Sequence, residues 1–426
     1  MQTFMIGPDR ESQNTTVCTY ADWQSRHGTA SIAFCYPQRL DLERLRGSLS
    51  RVLGDYQDYA GRIRMAGSTM YIDHGTQGVQ LEVAQSPEPY EALTTQAERG
   101  NDRTVCPPMS RRRTLHGRDP LLMVRVTEAA DGCILGVTWH HSVGELASTL
   151  QLMLAWSKAY SNETYQLPPV VPDRSKYLDE HMPDPSSAVS AMRLITGSEL
   201  FSLVPFVLQK RQRVDFDFGW DQLEQLQDWA KRDAYVGPYD ALCAHVSGVL
   251  RTLYPERPVE RLALAVNYRK RVGLPANILG NMISTVTVGL SPKDDDNRSI
   301  AHALREKLST YAAAHADYHA TRRFLDEHAG RFERMRVVPS LVDPSGSTWI
   351  VTNVAGAGVY DVAFDGLEPS LWCVLTDAPL PLMTAIFDRP ERSGVTVSMQ
   401  LPLALAKRAS SPEARALMFA PPPAGG

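Results

Sequence analysis

Cysteine is sparse and unpatterned in this chain. Cys18, Cys35, Cys106, Cys133, Cys243 and Cys373 are scattered over 426 residues without a C-x-x-C pair. Reduced, buried thiols are therefore expected, and neither a disulfide framework nor a metal site. No run of 18 apolar residues occurs, so no membrane-spanning helix is expected. The N-terminus, Met1-Gln-Thr-Phe-Met-Ile-Gly-Pro-Asp-Arg10, lacks the basic-then-apolar order of a signal peptide, which points to a cytoplasmic protein. Excess charge of one sign is also missing: a net charge of −4 and a pI near 6.3 give no electrostatic case for a nucleic-acid partner. No Gly-rich loop follows a strand, so a nucleotide-binding fold has no support. No repeat of solenoid period appears.

What is present is an ordinary globular composition, 43% hydrophobic and 22% charged, long enough for two or three cored domains. Ala30–Tyr36 reads as a strand, followed by a helix capped by Asp41 with Leu42, Leu45, Leu49, Val52 and Leu53 on one face. Residues 67 to 118 read as polar and irregular, with a short strand at Val79–Val83 and a basic cluster, Met109-Ser-Arg-Arg-Arg113. That cluster reads as a solvated loop, with phosphate holding as the alternative. Leu121–Val126 and Cys133–Trp139 look like paired strands around a turn at Asp131-Gly132. The Pro-rich span Leu167-Pro-Pro-Val-Val-Pro-Asp through Met182-Pro-Asp-Pro is the best domain boundary. Beyond it come a strand at Arg213–Phe218, a helix capped by Asp221, and a helix carrying Leu242, Val246, Val249 and Leu250. Further strands are expected at Leu262–Val266, Ser284–Leu290, Thr348–Thr352 and Val395–Leu401, with a helix over 299–315. The tail 421–426 reads as disordered. These signals predict residues 1–166 as an N-terminal domain, 167–212 as a linker and 213–426 as a C-terminal domain. Each domain mixes strands with amphipathic helices, an α/β class with mixed sheets.

The chain is organised around Ile134-Leu-Gly-Val-Thr-Trp-His140-His141-Ser-Val-Gly-Glu145-Leu146. A buried strand ends in two histidines, and a short turn leads into a helix with Leu146, Leu150, Met153 and Leu154 on its buried face. A histidine at such a junction is held by the strand yet can face a cleft. Imidazole titrates near pH 6.5, so neutral His141 could accept a proton from a hydroxyl or amine. Glu145 would fix the turn that aims it, through a cation. The alternative is that both histidines are satisfied polar residues at a strand end. His140 reads as structural.

These residues resemble those of the BAHD acyltransferases, which move acyl units from coenzyme A to alcohols or amines. His141-Ser-Val-Gly-Glu145 looks like that family's H-x-x-x-D with Glu for Asp. Leu49 to Arg62, Asp240–Val246, and Asn267-Tyr-Arg269-Lys-Arg271 with Gly280-Asn281 are similar to further family segments in the expected order. The resemblance spans about residues 30 to 401. It implies two chloramphenicol-acetyltransferase-like domains with a channel between them, His141 as catalytic base, and Glu145 paired with Arg269 or Arg271. It also implies acyl-CoA as co-substrate rather than a permanently bound cofactor, a small, specialised-metabolite acceptor, no metal, no membrane partner and a monomer. Two departures stand out. Asp217-Phe-Gly-Trp220 imitates the family's second signature but falls at a strand end in the wrong place. The matching position, Ala363-Phe364-Asp365-Gly366-Leu367-Glu368-Pro369, keeps only Phe364 and Pro369. Three alternatives stay open: a condensation-type enzyme using carrier-tethered donors, a repurposed cyclase of polyketide or terpenoid intermediates, and a non-catalytic binding protein.

Overall fold

The apolar run before the two histidines is a fully buried strand, Cys133–His140, antiparallel on one side to Leu122–Glu128 and on the other to Thr29–Tyr36. Burial on both faces explains why it reads as a continuous apolar run rather than an alternating one. The computed structural model describes residues 1–98, 102–231, 234–290, 296–330, 336–376 and 382–420. The chain divides into two compact units, each discontinuous: Met1–His181, Gly273–Met282 and Gly356–Ala378 form the first, and Met182–Val272, Ile283–Ala355 and Pro379–Gly426 the second. The first change of unit falls inside the Pro-rich span, and the two returns to the first unit have no counterpart in the sequence signals.

In the first unit a six-stranded sheet runs in the order Gln2–Ile6, Val79–Gln85, Leu122–Glu128, Cys133–His140, Thr29–Tyr36, Leu371–Thr376. All neighbours are antiparallel except Val79–Gln85 with Leu122–Glu128. Helix Leu42–Leu53 begins as expected, with the Asp41 carboxylate accepting the Arg44 N–H, and buries Leu45, Leu49, Val52 and Leu53. It packs against helix Leu146–Tyr160, whose buried face includes Leu150, Met153 and Trp156. A smaller antiparallel sheet joins Thr15–Val17, Thr69–Asp73 and Arg62–Ala66. The region 67–118 is thus more regular than its polar composition suggests.

The second unit carries a six-stranded sheet in the order Arg211–Gly219, Gly394–Pro402, Met383–Asp388, Thr348–Asn353, Arg261–Asn267, Ile283–Gly289. Thr348–Asn353 is parallel to both of its neighbours, and the other pairings are antiparallel. Helix Pro238–Leu253 buries Leu242, Val246, Val249 and Leu250. Two expectations need correction. The helix expected over 299–315 ends at Ser309 and gives way to a wider π turn, Tyr311–His315, in which Tyr311 is buried and stacked on Tyr268. Helix Trp220–Ala230 starts earlier than an Asp221 cap allows. Gly219 holds the cap position and donates its N–H to Gln222 Oε1, so Asp221 sits in the first turn. The expected linker also contains a helix, Gly197–Leu208, which opens with a Thr196/Glu199 capping box. The tail 421–426 lies outside the described residues.

Candidate active site

His140 is the last strand residue and His141 the first of the turn. The turn is fastened by backbone bonds from His141 N–H to the Gly28 carbonyl (2.9 Å) and from Val143 N–H to the His140 carbonyl (3.0 Å). Trp139 Nε1–H caps the Gly144 carbonyl at 3.0 Å. A side chain at Gly28 would place its Cβ 3.2 Å from His141 Cβ, so the smallest residue lets the chain pass beside the histidine.

The two rings differ. His140 is fully buried, and Ser142 N–H donates to its Nδ1 at 3.4 Å. Burial, reinforced by the neighbouring His141, lowers its pKa to about 4. His141 is only half-buried. Its Nδ1 is buried without a hydrogen-bond partner. Burial also lowers the His141 pKa, with Glu145, Asn281 and Asp22 acting in the opposite direction. His141 is therefore neutral at pH 7.

Glu145 is buried and stands at the N-cap of helix Leu146–Tyr160 without using its carboxylate as a cap. Oε2 instead accepts the Met282 N–H at 3.4 Å, and Ser148 Oγ lies 3.4 Å from Oε1 while donating to the Gly280 carbonyl at 3.0 Å. A second carboxylate grips the same turn: Asp22 Oδ1 accepts the Asn281 backbone N–H (2.8 Å) and Nδ2–H (2.9 Å). Asn281 Nδ2–H also donates to the His141 carbonyl at 2.8 Å. Segment Gly280–Met282 is thus held by two carboxylates, and Asn281 ties it to the His141 backbone.

Arg269 and Arg271 lie on the short helical turn Arg269–Arg271 of the second unit. Arg269 is buried, with its N–H and Nη1–H directed at Asn267 Oδ1, and Arg271 Nη1–H donates to the Leu308 carbonyl at 2.6 Å. Sequence reasoning missed Asp22 and Ser148. Asp22 closes a capping box with Thr19, which is a local signal and conceals its long-range use. The basic cluster at 109–113 forms a short helix, Arg111–Leu115, with Arg113 paired to Asp119 and Arg112 exposed. All six cysteines are buried and unbridged. Among the described residues no group of His, Cys, Asp and Glu is placed to hold a metal, and no helix is long and apolar enough to cross a membrane.

The segment standing where the family has its second signature docks within the first unit. Phe364 is buried edge-on against Tyr36, Trp156 and Tyr160, with centroids 5.5, 5.7 and 5.1 Å away. Asp365, at φ 52°, forms a two-pronged ion pair with Arg44. Asp217-Phe-Gly-Trp220 is a strand end running into a helix, as expected.

Acid sensitivity follows from these groups. Burial would raise the Asp58 carboxyl, but Arg174, His74 and Thr16 outweigh it and hold its pKa at about 2. The unfolded chain therefore binds the Asp58 proton first as pH falls, and stability present above pH ~4 is lost toward pH 2, on the order of 2 kcal/mol. For His140 the folded value also lies below the unfolded one. Its contribution is complete above pH ~6.5 and is lost on descent to pH ~4, on the order of 3 kcal/mol. Urea midpoints measured at pH 7.5, 5.5 and 4 are expected to fall stepwise. Equal midpoints at pH 7.5 and pH 4 would contradict the buried neutral His140.

The fold is similar to vinorine synthase (18% identity, TM-score 0.70, 96% of this chain and 95% of that one). It is also similar to TRI101 of F. sporotrichioides, solved with coenzyme A and T-2 (18%, TM-score 0.73, 94% and 98%). A condensation domain of the monacolin K polyketide synthase MokA shares the fold at 12% identity and TM-score 0.66. The Transferase family profile matches residues 11–407, and the chain belongs to that family, the BAHD acyltransferases. Rosmarinate synthase of Plectranthus scutellarioides is 24% identical over 290 residues, 65% of this chain and 66% of that protein. Anthranilate N-benzoyltransferase protein 3 of Dianthus caryophyllus is 24% identical over 298 residues, 64% of each. The chain thus matches just under two thirds of the length of these relatives.

Proposed function

We propose that this chain transfers an acyl group from acyl-coenzyme A to a hydroxyl or amine of a small specialised-metabolite acceptor. The observation that carries this reading is His141, half-buried at the end of a buried strand and kept neutral at pH 7 by burial. Nε2 takes the acceptor proton as the acceptor oxygen or nitrogen attacks the thioester carbonyl. Collapse of the tetrahedral intermediate breaks the C–S bond, and the proton on Nε2 passes to the departing sulfur. Glu145 serves geometry, through the Gly280–Met282 turn, with Arg269 and Arg271 as the supporting cations that the family resemblance implies. The donor class is supported by the coenzyme A complex of the TRI101 relative, and the acceptor class by the names of the two plant relatives. The reading includes a cytoplasmic monomer without a metal.

Thermal unfolding with coenzyme A and acetyl-coenzyme A tests it. Ligand at about 100 times its dissociation constant adds roughly 2.7 kcal/mol, a rise of a few degrees or less at this size. A saturable rise is expected. No shift at millimolar ligand would move the reading to a carrier-tethered donor or a cyclase.

A further inference from the structure

Behind the Gly280–Met282 turn stands a buried arginine that the acyl-transfer chemistry does not use. Arg174 opens helix Arg174–His181 within the Pro-rich span, yet is only 2% exposed. The span is pinned there by the Val17 N–H to Pro172 carbonyl bond (2.8 Å). The guanidinium lies between two buried carboxylates, with Nη1 3.4 Å from Asp22 Oδ2 and Nη2 bonded to Asp58 Oδ2. It also packs on Gly280, where a Cβ would meet Nη1 at 2.9 Å and Cδ and Cζ at 3.1 Å. Gly280 has φ +104°, so the close approach and the backbone both favour glycine there.

Asp22 therefore does more than accept the Thr19 N–H on Oδ2. Oδ2 faces Arg174, and Oδ1 holds the Asn281 N–H and Nδ2–H, the latter group also bonded to the His141 carbonyl. Asp58 is fixed in turn by Thr16 (2.7 Å) and His74 (2.8 Å). Three successive contacts, Arg174–Asp22, Asp22–Asn281 and Asn281–His141, lead from the Pro-rich span to the histidine within the first unit.

We propose that Arg174 is a positioning residue for the His141 base, setting Asp22 and packing on Gly280 so that Asn281 holds the histidine turn in register. This rests on the acyl-transfer reading only for its consequence in turnover. The groups facing the His141 ring are Glu145, Asp22 and Asn281, with His140 beside it, and Arg174 and Asp58 stand behind Asp22. Without Arg174, Asp22 loses its compensating cation and its full negative field reaches the imidazole.

The test is the His141 ring titration, followed by NMR on protein with isotope-labelled histidine and assigned by the resonance missing from His141→Ala. Arg174→Met is expected to raise the midpoint by about half a unit or more, and Arg174→Lys to restore most of the wild-type value. A folded Arg174→Met with an unchanged midpoint overturns the proposal. If Arg174→Met does not fold, the double variant Arg174→Met/Asp58→Asn, which removes one charge of each sign, is read by the same two outcomes. Thiol release from acetyl-coenzyme A is measured in parallel, and Arg174→Met is expected to lose about tenfold to a hundredfold in kcat. Equal thiol release by wild type and His141→Ala would sink the base assignment while leaving the titration result to decide Arg174.

Discussion

His141→Ala is expected to lower kcat by about 10²–10⁴, the usual contribution of a positioned general base, or roughly 3–5 kcal/mol of barrier. The unfolding midpoint should hardly move. The ring is half-buried, Nδ1 makes no bond that its removal would orphan, and the backbone bonds of the turn survive truncation. In wild type, kcat/KM is expected to fall on the acid side as His141 takes up a proton. The limb lies below pH 6.5, because burial disfavours the imidazolium more than Glu145, Asn281 and Asp22 favour it. Rate profiles between pH 5 and 8, together with circular dichroism of the variant, check both points. A limb above pH 7, or a variant with wild-type turnover, would remove His141 from the mechanism.

Phe364→Ala is expected to cost about 3–5 kcal/mol of stability, the range for deleting a buried aromatic side chain. The ring is held edge-on by Tyr36, Trp156 and Tyr160, and each such pair adds to simple burial. The adjacent Arg44–Asp365 pair is solvent-exposed and contributes little. The site lies at the Tyr160 end of helix Leu146–Tyr160, and Glu145 caps the other end. A rise of 1.5 Å per residue separates the two ends by roughly 20 Å. Turnover by the folded variant below its melting range is therefore expected to stay within a few-fold of wild type. Urea unfolding and kinetics at low temperature measure the two quantities separately. A stable variant without activity would place this segment in the chemistry rather than in the packing.

Much of the site was legible because its signals are local. A continuous apolar run ending in His140 and His141 needs no partner to be read as a buried strand, and the spacing of Leu150 and Met153 names the helix face that follows. Asp41 announced its helix in the same way. The divergent signature at 363–369 was legible as a departure, and its aromatic docking shows how Phe364 alone keeps the anchor.

The remainder depended on which distant segments meet. Strand Leu371–Thr376 pairs with Thr29–Tyr36, over 300 residues earlier, and its own residues carry no record of that partner. Asp22 satisfies a helix start with one set of bonds and grips Asn281 with another, so local capping accounts for it before its long-range role is visible. Arg174 sits in a polar, proline-rich span where arginine is ordinarily solvated. Only the folded chain shows Asp22 and Asp58 brought around it, which makes burial of the charge tolerable. By itself the sequence determined the strand, the histidine at its end and the family, because periodicity and motif order are written along the chain. The tertiary structure decided what holds His141 in place, because carboxylate, amide and guanidinium contacts exist only once residues 22, 58, 141, 174 and 281 are neighbours in space.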